Sequence, residues 1–410
     1  MAADSAVTVN GFNSKKIYNT ANKIFTLSKF NPVGVMIYSS SNFMTTPWET
    51  IIKLYRKKIG NTSFDKLIDY KNDFIKFLRD NEFFTNADSQ KFHAESFIYT
   101  QINIFKNDVL ENIDDNISDT DLDNEFNSLL KDKIEILLRT YSSSDPILED
   151  FENYTLEDFE IYIKESFEKV SKIVFSDIIL NDENTNLFYK LLYNYYKSLN
   201  FINQETGIIF GGFGEEEIYP SVVSIRISEV IDNRLRYLDD LSDSISDLNN
   251  GSILPYAQTD VMNMFIKGID PVFETTFVNI FRKFFKEYNQ TIQNIVLPVS
   301  PELSENIKNF DIDSLVSQFQ QEIENYKREN QIHPTVNTVS ILSKEDLSEM
   351  AESLIYLTYM KRRISSNEES VGGPIDVAII SKGDGFIWKK RKHYFDESLN
   401  QHFMRNYFNL

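Results

Sequence analysis

Histidine and cysteine set the first limits on the chemistry open to this chain of 410 residues. Its four histidines, His93, His333, His393 and His402, are far apart, and no two have a metal-binding spacing, so ordinary surface or core roles are favoured. The chain has no cysteine, which excludes disulfides, thiolate zinc sites and cysteine nucleophiles. We therefore expect neither a metal ion nor another cofactor.

A glycine-rich segment and an acidic segment lie side by side. Gly211-Gly212-Phe213-Gly214 could cradle a phosphate, but no Gly-Lys-Ser/Thr follows it and no helix start is close, so a turn between strands is favoured. Glu215-Glu216-Glu217 is more typical of a solvated turn than of a cation site. Neither segment predicts a nucleotide or metal site.

A basic run near the end of the chain has two interpretations. Lys389 to Lys392, with Trp388 and Tyr394, has the mixture of cations and aromatic rings that binds single-stranded nucleic acid. The net charge of −20, from 42 basic and 62 acidic residues, argues against nucleic acid and against anionic membranes. An edge strand protected by lysines is therefore the favoured interpretation.

The composition predicts a folded protein without membrane helices. Hydrophobic residues make up 41% of the chain and aromatic residues 14%, enough to form a substantial core. No apolar run approaches the roughly 18 to 20 residues of a membrane helix, and the start lacks signal-peptide blocks. We expect a cytoplasmic protein that does not bind membranes.

The order of predicted elements indicates an α+β fold with an insertion. Strand-like and helical segments alternate over residues 1–85, and residues 86–202 read as an acidic helical insertion. Within it, 22 acidic and 9 basic residues lie between Gln101 and Asn200. Strand character returns in residues 203–410, with further helical material at about 257–335.

Three helix starts and two strands are well marked. Thr46-Pro47 predicts an N-cap followed by a proline in the first helical position, Thr155 opens a variant of the capping box, and Ser343 caps a later helix. Gly34–Tyr38 and Pro374–Ser381 read as strands, and we expect Gly34–Tyr38 and Asp376–Ser381 to belong to one sandwich with the acidic helices beside it.

Several segments carry a family resemblance. The residues Ala2-Ala3-Asp4-Ser5-Ala6-Val7-Thr8, Asn22-Lys23-Ile24-Phe25 and Val33-Gly34-Val35-Met36-Ile37-Tyr38 resemble the opening strands of proteasome β-type subunits and their bacterial relatives. Val371 to Val377 and Phe386-Ile387-Trp388 look like the closing strands of the same fold. The resemblance covers roughly residues 1–85, 205–260 and 340–395, and the acidic helical block has no counterpart in it.

The resemblance implies an N-terminal nucleophile (Ntn) hydrolase, an αββα sandwich in which the first residue of the mature chain cleaves amide bonds and its own α-amine is the base. Carried over residue by residue, Asp4 matches the family's carboxylate and Lys23 its lysine. The backbone N–H of Ser39 would stabilise the oxyanion, and Glu368 and Ser370 lie near the supporting acid and serine.

Two features depart from the family. In the family, the strand that carries the nucleophile precedes the Ala-Ala-Asp-Ser segment. Here only Met1 precedes Ala2, and neither residue has a hydroxyl or thiol, so we expect no hydrolysis by the chain as written. Ser39-Ser40-Ser41 stands where glycine is usual. A peptide or protein substrate and a homo-oligomer are the expected partners. The alternative is a pseudoenzyme scaffold or interaction protein that acts through its acidic helical insertion.

Overall fold

The computed structural model describes residues 1–10, 15–81, 86–113, 119–141, 147–198, 205–246, 249–364, 371–393, 395–396, 398–402 and 405. The chain divides into two compact units. Residues 22–243 and 380–386 form the first, here called the central unit. Residues 1–21, 244–379 and 387–410 form the second, here called the terminal unit.

The described residues are a mixture of helices and antiparallel strands, which confirms the α+β class. The strands are β1 (Ala2–Ala3), β2 (Val7–Asn10), β3 (Lys15–Tyr18), β4 (Ile24–Thr26), β5 (Val33–Ser39), β6 (Asn42–Phe43), β7 (Thr46–Pro47), β8 (Thr206–Gly212), β9 (Ser221–Ile231), β10 (Arg234–Ser244), β11 (Asp376–Ser381) and β12 (Gly385–Lys390). The helices are α1 (Trp48–Ile59), α2 (Leu67–Arg79), α3 (Ala87–Leu110), α4 (Asp119–Tyr141), α5 (Leu156–Val174), α6 (Asp182–Lys197), α7 (Asp260–Lys267), α8 (Pro271–Val296), α9 (Pro301–Lys308), α10 (Ile312–Lys327), α11 (His333–Ile341) and α12 (Lys344–Ile364). A short 3₁₀ helix spans Glu149–Phe151 and a π-helical turn spans Arg328–Ile332.

A five-stranded sheet organises the central unit, with strand order β10-β9-β8-β5-β4. Alternate side chains of β5, namely Val33, Val35 and Ile37, are buried in one core with the inner faces of α1 and α2. This alternation is what a strand with one face on a core requires. On β5 itself, a side chain at Gly34 would collide with Ile380 and Phe386, so glycine allows the hairpin of residues 380–386 to pack there.

Two backbone features shape this sheet. Asp232 and Asn233 both have positive φ, 45° and 59°, in the two-residue turn between β9 and β10, as a tight hairpin requires. Gly212 has φ 143°, and a Cβ there would meet the carbonyl oxygen of Pro32, so only glycine fits. The glycine-rich segment thus completes β8 and begins the connection to β9, in agreement with the predicted turn between strands.

Helices α3 to α6 form a second core in the central unit. Thr155 opens α5 with the predicted capping box, since its hydroxyl accepts from the Asp158 N–H and its own N–H donates to the Asp158 carboxylate. Five side chains of α5 predicted to share one face are all buried: Phe159, Ile163, Phe167, Val170 and Val174. The acidic helical segment therefore belongs to the same compact unit as the five-stranded sheet.

The terminal unit contains a three-stranded sheet in the order β1-β11-β12, a β2–β3 hairpin and helices α7 to α12. β12 is an edge strand, and its Lys389 and Lys390 pair with Glu345 and Glu352 of α12. The lysine-protected edge is therefore confirmed. Ser343 caps α12 as predicted, since its hydroxyl accepts from the Asp346 N–H.

One expectation is wrong. Thr46 does not cap α1, because Thr46 and Pro47 form β7 with Phe43 and Asn42, and the helix begins at Trp48 without a side-chain cap. The strands β5 and β11 lie in different sheets, β5 in the five-stranded one and β11 in the three-stranded one, so their membership of one sandwich stays a prediction. Helical periodicity and strand alternation identify elements, but they do not reveal which strands pair.

Candidate functional site

Asp4 lies just after β1 in the terminal unit, in a turn that the closing segment of the chain holds in place. Its Oδ2 atom accepts hydrogen bonds from the N–H groups of Ala6 and Gly372, both at 3.0 Å. The neighbouring Ser5 is fully buried and donates its N–H to Gly372 O and its hydroxyl to Pro374 O. A carboxylate with two N–H donors is thus fixed in one orientation.

The pairing of β1 with β11 brings the two segments of the resemblance together. Ala2 lies opposite Val377 and Ala3 opposite Asp376, in antiparallel register. Asp376 is buried and accepts from both the backbone and the ammonium of Lys392. Asp4 and the residues around Gly372 are therefore neighbours although about nine-tenths of the chain separates them.

Lys23 stands at the start of β4 in the central unit, at the edge of the five-stranded sheet. Its carbonyl accepts the N–H of Ile37 at 2.9 Å, which extends the β4–β5 ladder by one residue. The residue is partly buried rather than fully solvated. Lys23 is thereby held beside the C-terminal end of β5, where Ser39 lies.

Ser39, the residue implied to supply the oxyanion N–H, has φ 70°. That is the left-handed region, which costs an L-residue roughly 1–2 kcal/mol and favours glycine. N–H groups alternate between the two edges of a strand, so Ser39 directs its N–H to the same edge as Ile37, the edge of β4 and Lys23. The chain therefore adopts a glycine-type backbone where the family usually has glycine.

A buried hydrogen-bond pair that the sequence did not reveal fixes the turn after Ser39. Thr206, opposite Ser39 on β8, donates its hydroxyl to Ser40 O at 3.2 Å. The Thr206 hydroxyl oxygen also accepts the indole N–H of Trp48 at 2.8 Å, and the side chains of Thr206 and Trp48 are buried. No local pattern predicts this contact, because Trp48 and Thr206 are 158 positions apart in the sequence. A tryptophan at a helix start close to a strand end is only a weak signal of such a contact.

The remaining predicted site residues are not brought together by the described structure. Glu368 and Ser370 lie outside the described residues. Asp4 belongs to the terminal unit, whereas Lys23 and Ser39 belong to the central unit, so their pairing stays a prediction. Within the described ranges, no group of histidine, aspartate and glutamate side chains could hold a metal ion.

No described helix combines the length and apolar character needed to cross a bilayer. Comparisons with protein-family models, with curated proteins and with solved structures found no match for this chain. The function of this chain is therefore inferred from its residues and their geometry.

Proposed function

We propose that the chain has the αββα architecture of Ntn hydrolases and that its ancestral activity is hydrolysis of amide or peptide bonds, as in proteasome β-type subunits. The observation that carries the proposal is the antiparallel pairing of β1 with β11, in which Asp4 accepts the Gly372 N–H. Both the strand character of the two ends and the resemblance predicted that these distant segments belong to one fold.

The two antiparallel sheets support the same architecture. One has five strands and packs α1 and α2 against one of its faces, and the other contains β1, β11 and β12. The hairpin residues Ile380 and Phe386 lie against Gly34 of β5 within the central unit. A sandwich needs small residues where a second layer approaches a strand this closely.

The proposed chemistry divides among three groups. The Lys23 ammonium would lower the pKa of a nearby α-amine and hydroxyl, and the Ser39 N–H would stabilise the oxyanion. In the family that the chain resembles, the carboxylate that corresponds to Asp4 orients the lysine. The nucleophile implied by the family belongs to a strand before Ala2, and neither Met1 nor Ala2 carries a hydroxyl or thiol. The substrate would be a peptide or protein.

The coding sequence upstream of Met1 tests the proposal. An in-frame threonine, serine or cysteine followed by an alternating strand should, in the extended and processed chain, give turnover of fluorogenic peptides. Lys23→Ala should abolish that turnover, while Lys29→Ala, a change of an exposed lysine after β4, should leave it intact. The chain of 410 residues should show no turnover.

Three other results would contradict part of this proposal. An immediate upstream stop codon would favour a scaffold that acts through helices α3 to α6. Turnover by the chain of 410 residues that disappears in Lys23→Ala would mean that another residue has replaced the nucleophile. Turnover by the extended chain that survives Lys23→Ala would contradict the assigned site.

A further inference from the structure

A stripe of exposed apolar side chains runs along the whole of α8 in the terminal unit. It comprises six residues whose surfaces are between 41% and 64% exposed: Phe273, Phe277, Ile280, Phe284, Tyr288 and Ile295. We refer to them as the α8 stripe. Monomeric proteins seldom expose an apolar patch larger than about 300–600 Å², and with roughly 200 Å² for each side chain the α8 stripe exposes about 700 Å².

Packing within the terminal unit uses an adjacent face of α8. That face packs on α10 through Val278, Ile312 and Val316, with Phe281 and Phe285 partly buried beside them. Phe277, at the edge of the stripe, also approaches the Phe319 ring of α10, with 6.1 Å between the ring centroids. Two pairs of rings in the stripe are stacked on each other, Phe273 with Phe277 and Phe284 with Tyr288. The exposed rings are therefore already ordered, which reduces the entropy that a binding partner would have to offset.

The spacing of the stripe is symmetric about Phe284. Its members lie 11, 7 and 4 residues before Phe284 and 4 and 11 residues after it, and Thr291 occupies the position 7 residues after it. Twenty-two residues make about six helical turns, so the stripe runs almost straight. A second α8 laid antiparallel across it would place Phe273 opposite Ile295, Ile280 opposite Tyr288 and Phe284 opposite itself.

We propose that the α8 stripe is a homodimer interface, in which two copies of this chain pair their α8 helices antiparallel about a two-fold axis at Phe284. The exposed area of about 700 Å² is close to the roughly 800 Å² per partner of a standard interface. A symmetric, self-complementary pattern is what a two-fold interface requires of a single sequence.

Charge on the flank of the stripe fits the same arrangement. Lys283 and Glu287 lie on one side of the stripe, where they form an ion pair within the helix at 3.8 Å, and their side chains are 79% and 65% exposed. A two-fold axis brings identical flanks together, which places Lys283 of each copy about 3 Å along the helix axis from Glu287 of the other. In the dimer each of these charges therefore has a second opposite charge nearby, across the edge of the apolar stripe.

Cysteine cross-linking tests the geometry, because the natural chain contains no cysteine. Phe284→Cys should give a disulfide-linked dimer under mild oxidation, since both Cα atoms lie near the axis of helices packed about 8–10 Å apart. Phe273→Cys alone should not, because its two copies would be about 33 Å apart. A mixture of Phe273→Cys and Ile295→Cys chains should cross-link to each other.

Sedimentation of the full chain tests the association itself. The dimer should dissociate at least about tenfold more readily with Phe284→Glu, which places two carboxylates at the axis. Ile173→Glu on α5, a change of a residue with the same 61% exposure, should have no effect. Lys283→Glu and Glu287→Lys should each weaken the dimer, and the double exchange should restore it.

A monomer at about 100 μM, or a dimer that Phe284→Glu leaves unchanged, would overturn the proposal and assign the stripe to another protein or to a further segment of this one. If circular dichroism shows that Phe284→Glu does not fold, the cysteine variants and the exchange of Lys283 and Glu287 still test whether the dimer forms. The antiparallel arrangement would also be overturned if two Phe273→Cys chains formed a disulfide with each other while two Phe284→Cys chains did not.

Discussion

The guanidinium of Arg236 donates a hydrogen bond to Glu229 Oε1 over 2.9 Å, and the arginine side chain has no exposed surface. The same guanidinium donates to the carbonyl oxygens of Tyr195, Tyr196 and Ser198, at the C-terminal end of α6. Carbonyls at a helix end have no partner in the helix, and a cation there also interacts favourably with the helix dipole. Arg236 thus ties the acidic helices to β10.

Arg236→Ala should reduce the free energy of unfolding by about 3–5 kcal/mol, because it leaves a buried carboxylate and three carbonyls without their donor. Burial lowers the pKa of Arg236, yet four acceptors favour its charged form. Urea unfolding followed by circular dichroism measures the loss. Lys131→Ala, which removes an exposed pair with Glu183, should change stability by less than about 1 kcal/mol.

An Arg236→Ala variant as stable as the parent would show that water or a neighbouring group replaces the guanidinium. Arg236→Lys adds a further comparison, since a lysine carries the charge without the planar fork that reaches several acceptors at once. We expect it to recover only part of the loss.

Ser39→Gly should raise the free energy of unfolding by about 0.5–1 kcal/mol, because glycine adopts φ 70° without the cost that serine bears. The matched change Ser40→Gly, at a residue outside the left-handed region, should instead lower stability slightly. Thermal or urea unfolding of both variants provides the comparison. Equal destabilisation by the two changes would show that Ser39 is not strained.

Thr206→Val should cost about 1–3 kcal/mol, because the Trp48 indole N–H would be left buried without its acceptor. Thr206→Ser keeps the hydroxyl and should cost clearly less. Hydrogen exchange at the amides around Ser40 should accelerate in Thr206→Val, since the hydroxyl also holds the Ser40 carbonyl. Unchanged exchange there would mean that the turn after Ser39 is positioned by other contacts.

Sequence patterns predicted those features that depend on neighbouring residues. The capping box at Thr155, the N-cap at Ser343 and the buried face of α5 follow from local spacing, and the structure contains all three. Pairing between distant segments has no such local signal. The helix α1 therefore starts one residue later than predicted, since pairing of Thr46 with Phe43 prevails over the helix-start pattern.

The candidate site shows the same division. The resemblance named Asp4, Lys23 and Ser39, but only the structure shows that Asp4 accepts from Gly372 and that Ser39 has positive φ. The contact of Thr206 with Trp48 depends on the register of β5 against β8, in which a shift of one residue would turn Thr206 away.

The imidazole of His93 on α3 should make stability depend on pH. Its Nε2 atom is buried without a hydrogen-bond partner in the described structure, and burial lowers the pKa of His93 below its ordinary 6.5, with Glu229 acting weakly in the opposite direction. The unfolded chain binds a proton near pH 6.5, whereas the folded chain does so only at lower pH. The free energy of unfolding should therefore fall as the pH drops below about 6.5.

Replacing His93 by Gln removes the titrating group, so the loss of stability between pH 7.5 and pH 5.5 should be smaller than in the parent. Many carboxylates titrate as the pH falls further, and they contribute equally to both proteins, so the difference between the two pH dependences isolates His93. Parallel curves for the parent and His93→Gln would show that the folded protein accommodates the His93 proton without cost.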